Sequence, residues 1–443
     1  MAGLHNKRFY SPIPPPHKSG GLLGGKVNIM ADLVVRNALL RGADNTVDIV
    51  IEQGRIAALE PSFGGQAPAE VDAAGGLVLP SFTDPHIHLD KVLISEVVRD
   101  NVSGNLEEAI AIIWEKKKRY TLDDILERAG RTVQWAVLNG TTRLCSHVDV
   151  DTIGGLMPLK GVLAARENCK DIADIRIVAF PQEGIVQDEG CKELMWKAME
   201  MGADIVGGMP FNEMTSDDSR KHLDICFEIA KEHDAPLDMH VDETDNPNAR
   251  TLEEYATRAI KNGFVGRVTA GHTCALSAYD DHHAAKVIGL VKKAEMNMIT
   301  NPATNLMLQG RMDTGNIRRG LTRVKELLAA GVNVAYGQDC VKDTFYPTFG
   351  QCDLLEVGLL CAHAVQLSMP KEIEMLMDMP TVNASRMFEV ADYGIAAGNT
   401  ADIVVLAEKS PQEAFRTHQP RPAVIKGGRI VARSSITQEL VRG

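Results

Sequence analysis

Between about residues 81 and 389 the chain alternates short apolar runs with longer amphipathic ones. The short runs are LVLPSFTD (ending at Asp84), TTRLCSHV (141–148), IRIVAFP (175–181), ADIVGGMP (203–210), PLDMHV (236–241), RVTAGH (267–272), MNMITN (296–301) and VNVAYG (332–337). They have the length and apolar content of strands buried on both faces. Between them, segments starting at Leu106, Leu122, Cys191, Ser219 and Thr322 carry apolar residues at three-to-four spacing and end near Gly or a polar break, which predicts helices. Eight strands alternating with helices predict an α/β fold, a closed (β/α)8 TIM barrel over 81–389. A doubly wound sheet is the alternative, but no GxGxxG follows the first strand and no GxxxxGK[ST] occurs, which argues against nucleotide binding.

The flanks have a different texture. ADLVVRNALL, NTVDIVIEQGRIAAL and AEVDAAGGLVLP near the start, and ADIVVLA and AVIKGGRIVAR near the end, are β-rich pieces punctuated by Gly, Asp and Asn,. GRIAAL and GGRIVA are similar hairpin-like pieces. Neither flank is long enough to bury a core alone, so 29–80 and 390–443 are expected to form one small β-sandwich domain built from both termini. Residues 1–28 mix Pro, Gly and basic residues without the apolar core of a signal peptide, and are expected to form a flexible arm.

The 443 residues carry 47 Lys+Arg against 59 Asp+Glu, a formal charge of −12. That balance argues against a nucleic-acid partner. No run of 18 apolar residues suggests a membrane span. Eight scattered cysteines without a Cys-x-x-Cys read as buried thiols in a reducing compartment,, hence a cytoplasmic location.

The strand tails carry the chemistry, because a barrel builds its site at the C-terminal ends of its strands. The first ends Asp84-Pro85-His86-Ile87-His88, and an extended segment points both imidazoles one way. The fifth ends His240-Val241-Asp242-Glu243, the sixth Gly271-His272-Thr273, and the eighth Gly337-Gln338-Asp339-Cys340. Imidazoles and a carboxylate suit one divalent ion, Zn or Fe, which would supply a hydrolytic water near neutral pH. The fourth strand ends Gly207-Gly208-Met209-Pro210, with no Lys or Glu to bridge a second ion.

With those residues in view, the chain resembles the amidohydrolase superfamily, and within it bacterial cytosine deaminase and the related isopropylammelide hydrolase. The resemblance spans about 31–435 and rests on PSFTDPHIHLDK (80–91), SHVDVD, IVAFPQEGI, HVDE, GHT, LQGRMD, RRGLTRVKELLAAGVNVAYGQD and YGIAAGNTADIVVL. It implies that His86, His88, His240 and Asp339 bind one metal. It implies that Glu243 shuttles protons, that His272 acts with Asp339 on the water, and that Gln182 reads a ring carbonyl and a ring N–H. His147 ends the second strand as a substrate contact or a support behind one, with Asp149 beside it. Asp90 is expected to cap the first loop, Arg311 and Asp313 to pair near the pocket, and His282-His283 to be solvated. The Met-rich stretch 375–388 is expected to pack as helix and loop. Closed homo-oligomers are the usual outcome for such proteins.

One departure bears on the substrate. The cytosine deaminase pattern has two adjacent acids at the end of strand 8 and an aromatic, commonly Trp, in the loop beyond. Here the second acid is Cys340 and the aromatic is Phe345. A thiol accepts hydrogen bonds far more weakly than a carboxylate. The expectation is a hydrolytic deaminase of a small nitrogen heterocycle: cytosine, 5-methylcytosine or isocytosine. The alternatives are creatinine deimination and amine hydrolysis of an s-triazine such as N-isopropylammelide. Ring-amide hydrolysis is the other enzymatic form, and its usual bridging Lys is missing.

Overall fold

The computed structural model describes residues 31–346 and 349–441; the arm expected over 1–28 lies outside them. Eight parallel strands follow one another in strict sequence order in one sheet: Phe82–Ile87, Thr141–Asp149, Asp174–Phe180, Ile205–Gly208, Leu237–Val241, Val268–His272, Asn297–Thr300 and Asn333–Tyr336. We number them barrel strands 1 to 8. The first and last meet through a parallel bridge of Ile87 and Asp339. Asp339 N–H donates to the His86 carbonyl at 2.7 Å and His88 N–H to the Asp339 carbonyl at 3.3 Å. The seam of the barrel thus runs through three of the residues singled out by their chemistry.

The helices start where polar caps allow. Asn105 accepts from Glu108 N–H ahead of Leu106–Lys117, and Thr121 accepts from Asp124 N–H ahead of Leu122–Leu138,. The helix expected from Ser219 starts at Ser216, because Thr215 is its cap. The Met-rich stretch is helical and tucked under the barrel, with Met377 and Met379 fully buried. Among the described residues, no helix is long and apolar enough to cross a membrane.

The terminal segments form one separate, open, eight-stranded sheet. Ile403–Val405, from the C-terminal flank, pairs antiparallel with Leu77–Pro80, from the N-terminal one. Leu33, Val35, Ile49, Ile51, Val78, Ile403 and Ile425 share its buried core. The run LVLPSFTD divides at Ser81: Ser81 N–H donates to Asp402 in the terminal sheet, and Phe82 N–H donates to Gly140 in the barrel. The two similar hairpin pieces also meet. Gln53-Gly54 and Gly427-Gly428 all have positive φ, as two-residue turns between twisted strands require. A Cβ on Gly428 would stand 2.7 Å from the Gly54 Cα, so the two turns abut and neither tolerates a side chain there.

Candidate active site

His86 is fully buried and His88 nearly so. His88 Nδ1 lies 3.1 Å from the His147 carbonyl. A carbonyl only accepts, so that nitrogen carries the proton and Nε2 presents its lone pair. His88 Nε2 is 3.2 Å from His240 Nε2 and 3.3 Å from Asp339 Oδ1, and His86 Nε2 is 3.6 Å from the same oxygen. Both ring nitrogens of His86, Nδ1 of His240 and Oδ2 of Asp339 are buried without a hydrogen-bond partner. Burial, reinforced by the neighbouring imidazoles, holds His86 and His240 well below the usual histidine range, and burial with Lys91 does the same to His88. The three pairs His88 Nε2–His240 Nε2, His88 Nε2–Asp339 Oδ1 and His86 Nε2–Asp339 Oδ1, 3.2–3.6 Å apart, match the spacing of about 3.4 Å between ligands that each lie about 2.1 Å from one tetrahedral ion. The chemistry and spacing of this donor set fit a divalent metal. His272 and His147 extend the cluster. Ligand atoms of His86, His272 and Asp339, and those of His86, His147 and His240, lie within 4.8 Å of one another.

Glu243 and His272 stand beside it. His272 Nδ1 is 3.1 Å from Glu243 Oε1, and Asn305 Nδ2 donates to that same oxygen at 2.9 Å. Burial alone would lower His272, but the Glu243 carboxylate, joined by Asp339, outweighs it and pushes the group up to about 9. The backbone is left-handed at Asp242, His272 and Asp339, φ +48°, +64° and +63°. For non-glycine residues that conformation costs about 1–2 kcal/mol each, and here it falls at the ends of three of the four strands that carry the site.

A cavity joins these groups. Its lining includes His88, His240, Glu243, His272 and Asp339 on the polar side, and Leu106, Ile110, Phe180, Leu308 and Phe345 on the apolar side. Lys91, Gln182, Met209, Thr304 and Cys340 complete the wall. His147 does not line it. That ring is buried behind His86, 4.1 Å between centroids, with Nε2 3.4 Å from Asp238, which leaves it as support rather than a substrate contact. Gln182 lines the cavity, with its carbonyl oxygen accepting one hydrogen bond from Lys91 and its Nε2 buried without a partner.

Other expectations are redirected. Asp313 pairs with Arg318 at 2.6 Å rather than with Arg311, whose guanidinium donates to the Met307 carbonyl. Asp90 is buried and accepts from Asp149 N–H; burial and the Asp149 carboxylate push it up to about 7. His282 is exposed, and His283 is half-buried beside Glu253. Asp149 is clamped between Lys91 Nζ at 2.7 Å and Lys117 Nζ at 2.6 Å. Sequence reasoning did not reach Lys91, Lys117, Asn301 or Asn305. Lys91 closes the quoted segment PSFTDPHIHLDK, and both asparagines stand in NPATN directly after barrel strand 7, where a strand-end survey extended by one turn would have found them.

The amidohydrolase family model matches residues 69–432. The chain belongs to the amidohydrolase family. It is 31% identical over 415 residues to N-isopropylammelide isopropyl amidohydrolase of Pseudomonas sp. strain ADP, covering 91% of this chain and 98% of that one. It is 32% identical over 394 residues to a pterin deaminase of Rhizobium rhizogenes, covering 87% and 88%. The crystal structure of 5-methylcytosine deaminase from Klebsiella pneumoniae liganded with phosphonocytosine superposes with a TM-score of 0.88 at 33% identity, covering 92% of this chain and all of that one. The chain is therefore an amidohydrolase-superfamily enzyme with a candidate metal centre of a kind consistent with deaminase activity.

Proposed function

We propose that this amidohydrolase is a one-metal hydrolytic deaminase of a small nitrogen heterocycle, releasing ammonia from a ring C–NH₂ or C=NH carbon. The observation that carries the reading is Glu243: a carboxylate lining the same cavity as His88, His240 and Asp339, its oxygen fixed by Asn305 and His272. His86, His88, His240 and Asp339 would hold the ion, which supplies a water acidic enough to attack at neutral pH. Glu243 takes a proton and returns it to the ring nitrogen and the departing amine. His272, cationic beside Glu243, orients the water with Asp339 and offsets negative charge developing at the attacked carbon. Gln182 engages the ring edge away from the reacting carbon. The apolar wall of Leu106, Ile110, Leu308 and Phe345 receives the ring face and any alkyl substituent.

The relatives support a ring amine as the target: two are named for deamination, one of 5-methylcytosine and one of a pterin, and the third for hydrolysis of N-isopropylammelide. Ring-amide hydrolysis gains no support at barrel strand 4. That strand ends Gly207-Gly208-Met209, and the residue it puts in the cavity lining is Met209, which has no carboxylate or amine to bridge a second ion. The test is ammonia release by the metal-loaded protein from cytosine, 5-methylcytosine, isocytosine, creatinine, aminotriazines and pterin. Release from one of these sustains the reading; ring opening without ammonia replaces it.

Cys340 governs the choice within that panel. The buried thiol lines the cavity 3.6 Å from Asp339 Oδ1. Cys340→Asp is expected to raise kcat/KM for cytosine relative to 5-methylcytosine or creatinine, because an acid accepts from an exocyclic amine. A hydrogen bond to a charged group is worth roughly 1.5–3 kcal/mol, or about 10–150-fold. The comparison belongs above pH 7, since neighbouring Asp343, already pushed up to about 6 by burial, would share a proton with the new acid below that. An unchanged ratio would make Cys340 a packing residue only.

A further inference from the structure

The barrel has a second polar cavity at its other end. Ile205, Leu237 and Asn297 are the first residues of barrel strands 4, 5 and 7, so the space they line lies at the N-terminal ends of the strands, opposite the candidate active site. Its volume is about 40 Å³, against about 30 Å³ for the cavity beside the metal centre. Pro236, Met387 and Phe388 extend its apolar walls, and Asp238, Arg267, Arg386 and Glu389 bring charge to it. Asp238 is 5% exposed, and its Oδ1 is buried with no hydrogen-bond partner among the described residues. His147 Nε2 stands 3.4 Å away, but neither ring nitrogen of His147 makes a hydrogen bond. A buried carboxylate oxygen without a donor is costly, so this end of the cavity calls for an N–H from outside the chain. Two of the other charges are already committed: Arg267 to Asp234 at 2.7 Å, and Glu389 to Arg176 at 3.1 Å. Arg386 is exposed, and no ion pair among the described residues claims its guanidinium.

The two uncommitted groups have opposite sign. A simple cation drawn to Asp238 would meet Arg386, and a simple anion drawn to Arg386 would meet Asp238. A neutral ring with N–H donors on one edge and an oxygen on the other satisfies both, and its faces suit the flat apolar walls of Ile205, Leu237 and Phe388,. A carboxylate is matched best by two parallel N–H donors. An amidine edge, a ring N–H beside an exocyclic N–H, supplies that pair; an imide N–H between two carbonyls does not. We infer that the base of the barrel is a second small-molecule site, which takes a neutral planar heterocycle with its amidine edge on Asp238 and its ring oxygen toward Arg386. This is the chemical class that the deaminase reading assigns to the active site, so the enzyme's own substrate is the ligand it would meet. The base site stands on its own residues and does not depend on that reading. It lies one imidazole away from the candidate metal centre, because the His147 ring that faces Asp238 packs 4.1 Å from the ring of His86.

Each cavity carries its own methionine, Met387 at the base and Met209 beside the metal centre, so methyl-¹³C methionine NMR reads the two sites separately. The sample is the metal-loaded full chain carrying Glu243→Gln, which keeps the ring from being consumed; Met387→Leu and Met209→Leu assign the two signals. Titration with isocytosine, which has an amidine edge and a ring oxygen, is expected to move the Met387 signal saturably. Uracil, which lacks the amidine edge, is expected to bind there at least about tenfold more weakly, the worth of one hydrogen bond to a charged group. Asp238→Asn should cost about 10–150-fold in isocytosine affinity read at Met387, and Arg386→Ala about 2–10-fold. If Asp238→Asn disturbs the barrel through His147, Arg386→Ala, at an exposed position, decides alone. A Met387 signal that does not move, equal affinity for uracil and isocytosine at the base, or unchanged affinity in the folded variants would each overturn the inference. A saturable shift at Met387, with wild-type protein that releases no ammonia from any ring, would leave the base site standing and remove the deaminase reading instead.

Discussion

Glu243→Gln is expected to lower kcat for ammonia release by about 10²–10⁴-fold, the usual worth of a general acid–base group, with metal content unchanged. The substitution keeps volume and one oxygen, so Asn305 retains an acceptor where it now finds Oε1. What it deletes is the ability to take up a proton and give it back. It also deletes the charge that holds His272 up. That imidazole sits at about 9 because the Glu243 carboxylate, with Asp339, outweighs burial, so in the variant it falls and the cationic form is lost at lower pH. The wild type therefore keeps a protonated His272 across neutral pH and loses it only as the pH rises toward 9, and the alkaline limb of the variant's residual activity moves to lower pH. Steady-state ammonia release, metal analysis of the same preparation and a pH profile check all three statements. A variant with most of the wild-type kcat would remove Glu243 from the chemistry.

What could be read ahead of the structure, and what could not, divides along physical lines. Barrel strands such as Thr141–Asp149 are buried on both faces and carry no competing periodicity, so their apolar runs stand out. The run ending at Asp84 was ambiguous because an apolar pattern does not say which sheet an amide donates to. Only the tertiary structure sends Ser81 to the terminal sheet and Phe82 to the barrel. The candidate ligands were legible because strand geometry carries His86 and His88 to one place and the strand ends collect His240 and Asp339. Lys117 was not. It closes a helix in the run Lys116-Lys117-Lys118, which reads as a solvated face, yet it is fully enclosed by Asp149, Asp151 and Glu183. Three carboxylates from two strand ends make burial of that charge tolerable, and their convergence belongs to the fold rather than to any local pattern. Asn305 escaped for a related reason. Its helix, Pro302–Leu308, has to fold back over the cavity before its amide meets Glu243, 62 positions earlier.

Metal removal and loss of the Asp339 carboxylate carry the largest effects. Wild-type protein is expected to hold one equivalent of Zn or Fe per chain. A chelator should abolish ammonia release, and one equivalent of metal should restore it. The scale is set by the attacking water: its pKa of about 15.7 in bulk falls to about 7 on an ion, so without metal the nucleophile at neutral pH is scarcer by about eight orders of magnitude, and the measured rate drops to background. Asp339→Asn isolates the ligand from the fold. Asparagine tolerates the left-handed backbone of position 339, φ +63°, and the seam bonds to His86 and His88 are made by its main chain. The amide lacks the charge that, beside three imidazoles, offsets a divalent cation. The variant is therefore expected to fold, with an unchanged circular dichroism spectrum, yet to retain little metal after dialysis and to show no turnover above background. The single equivalent follows from barrel strand 4, where Gly207 and Gly208 carry no side chain and Met209, which lines the cavity, has no carboxylate or amine to bridge a second ion. Two equivalents in fully active wild-type protein, or full metal and activity in Asp339→Asn, would overturn the assignment of this centre.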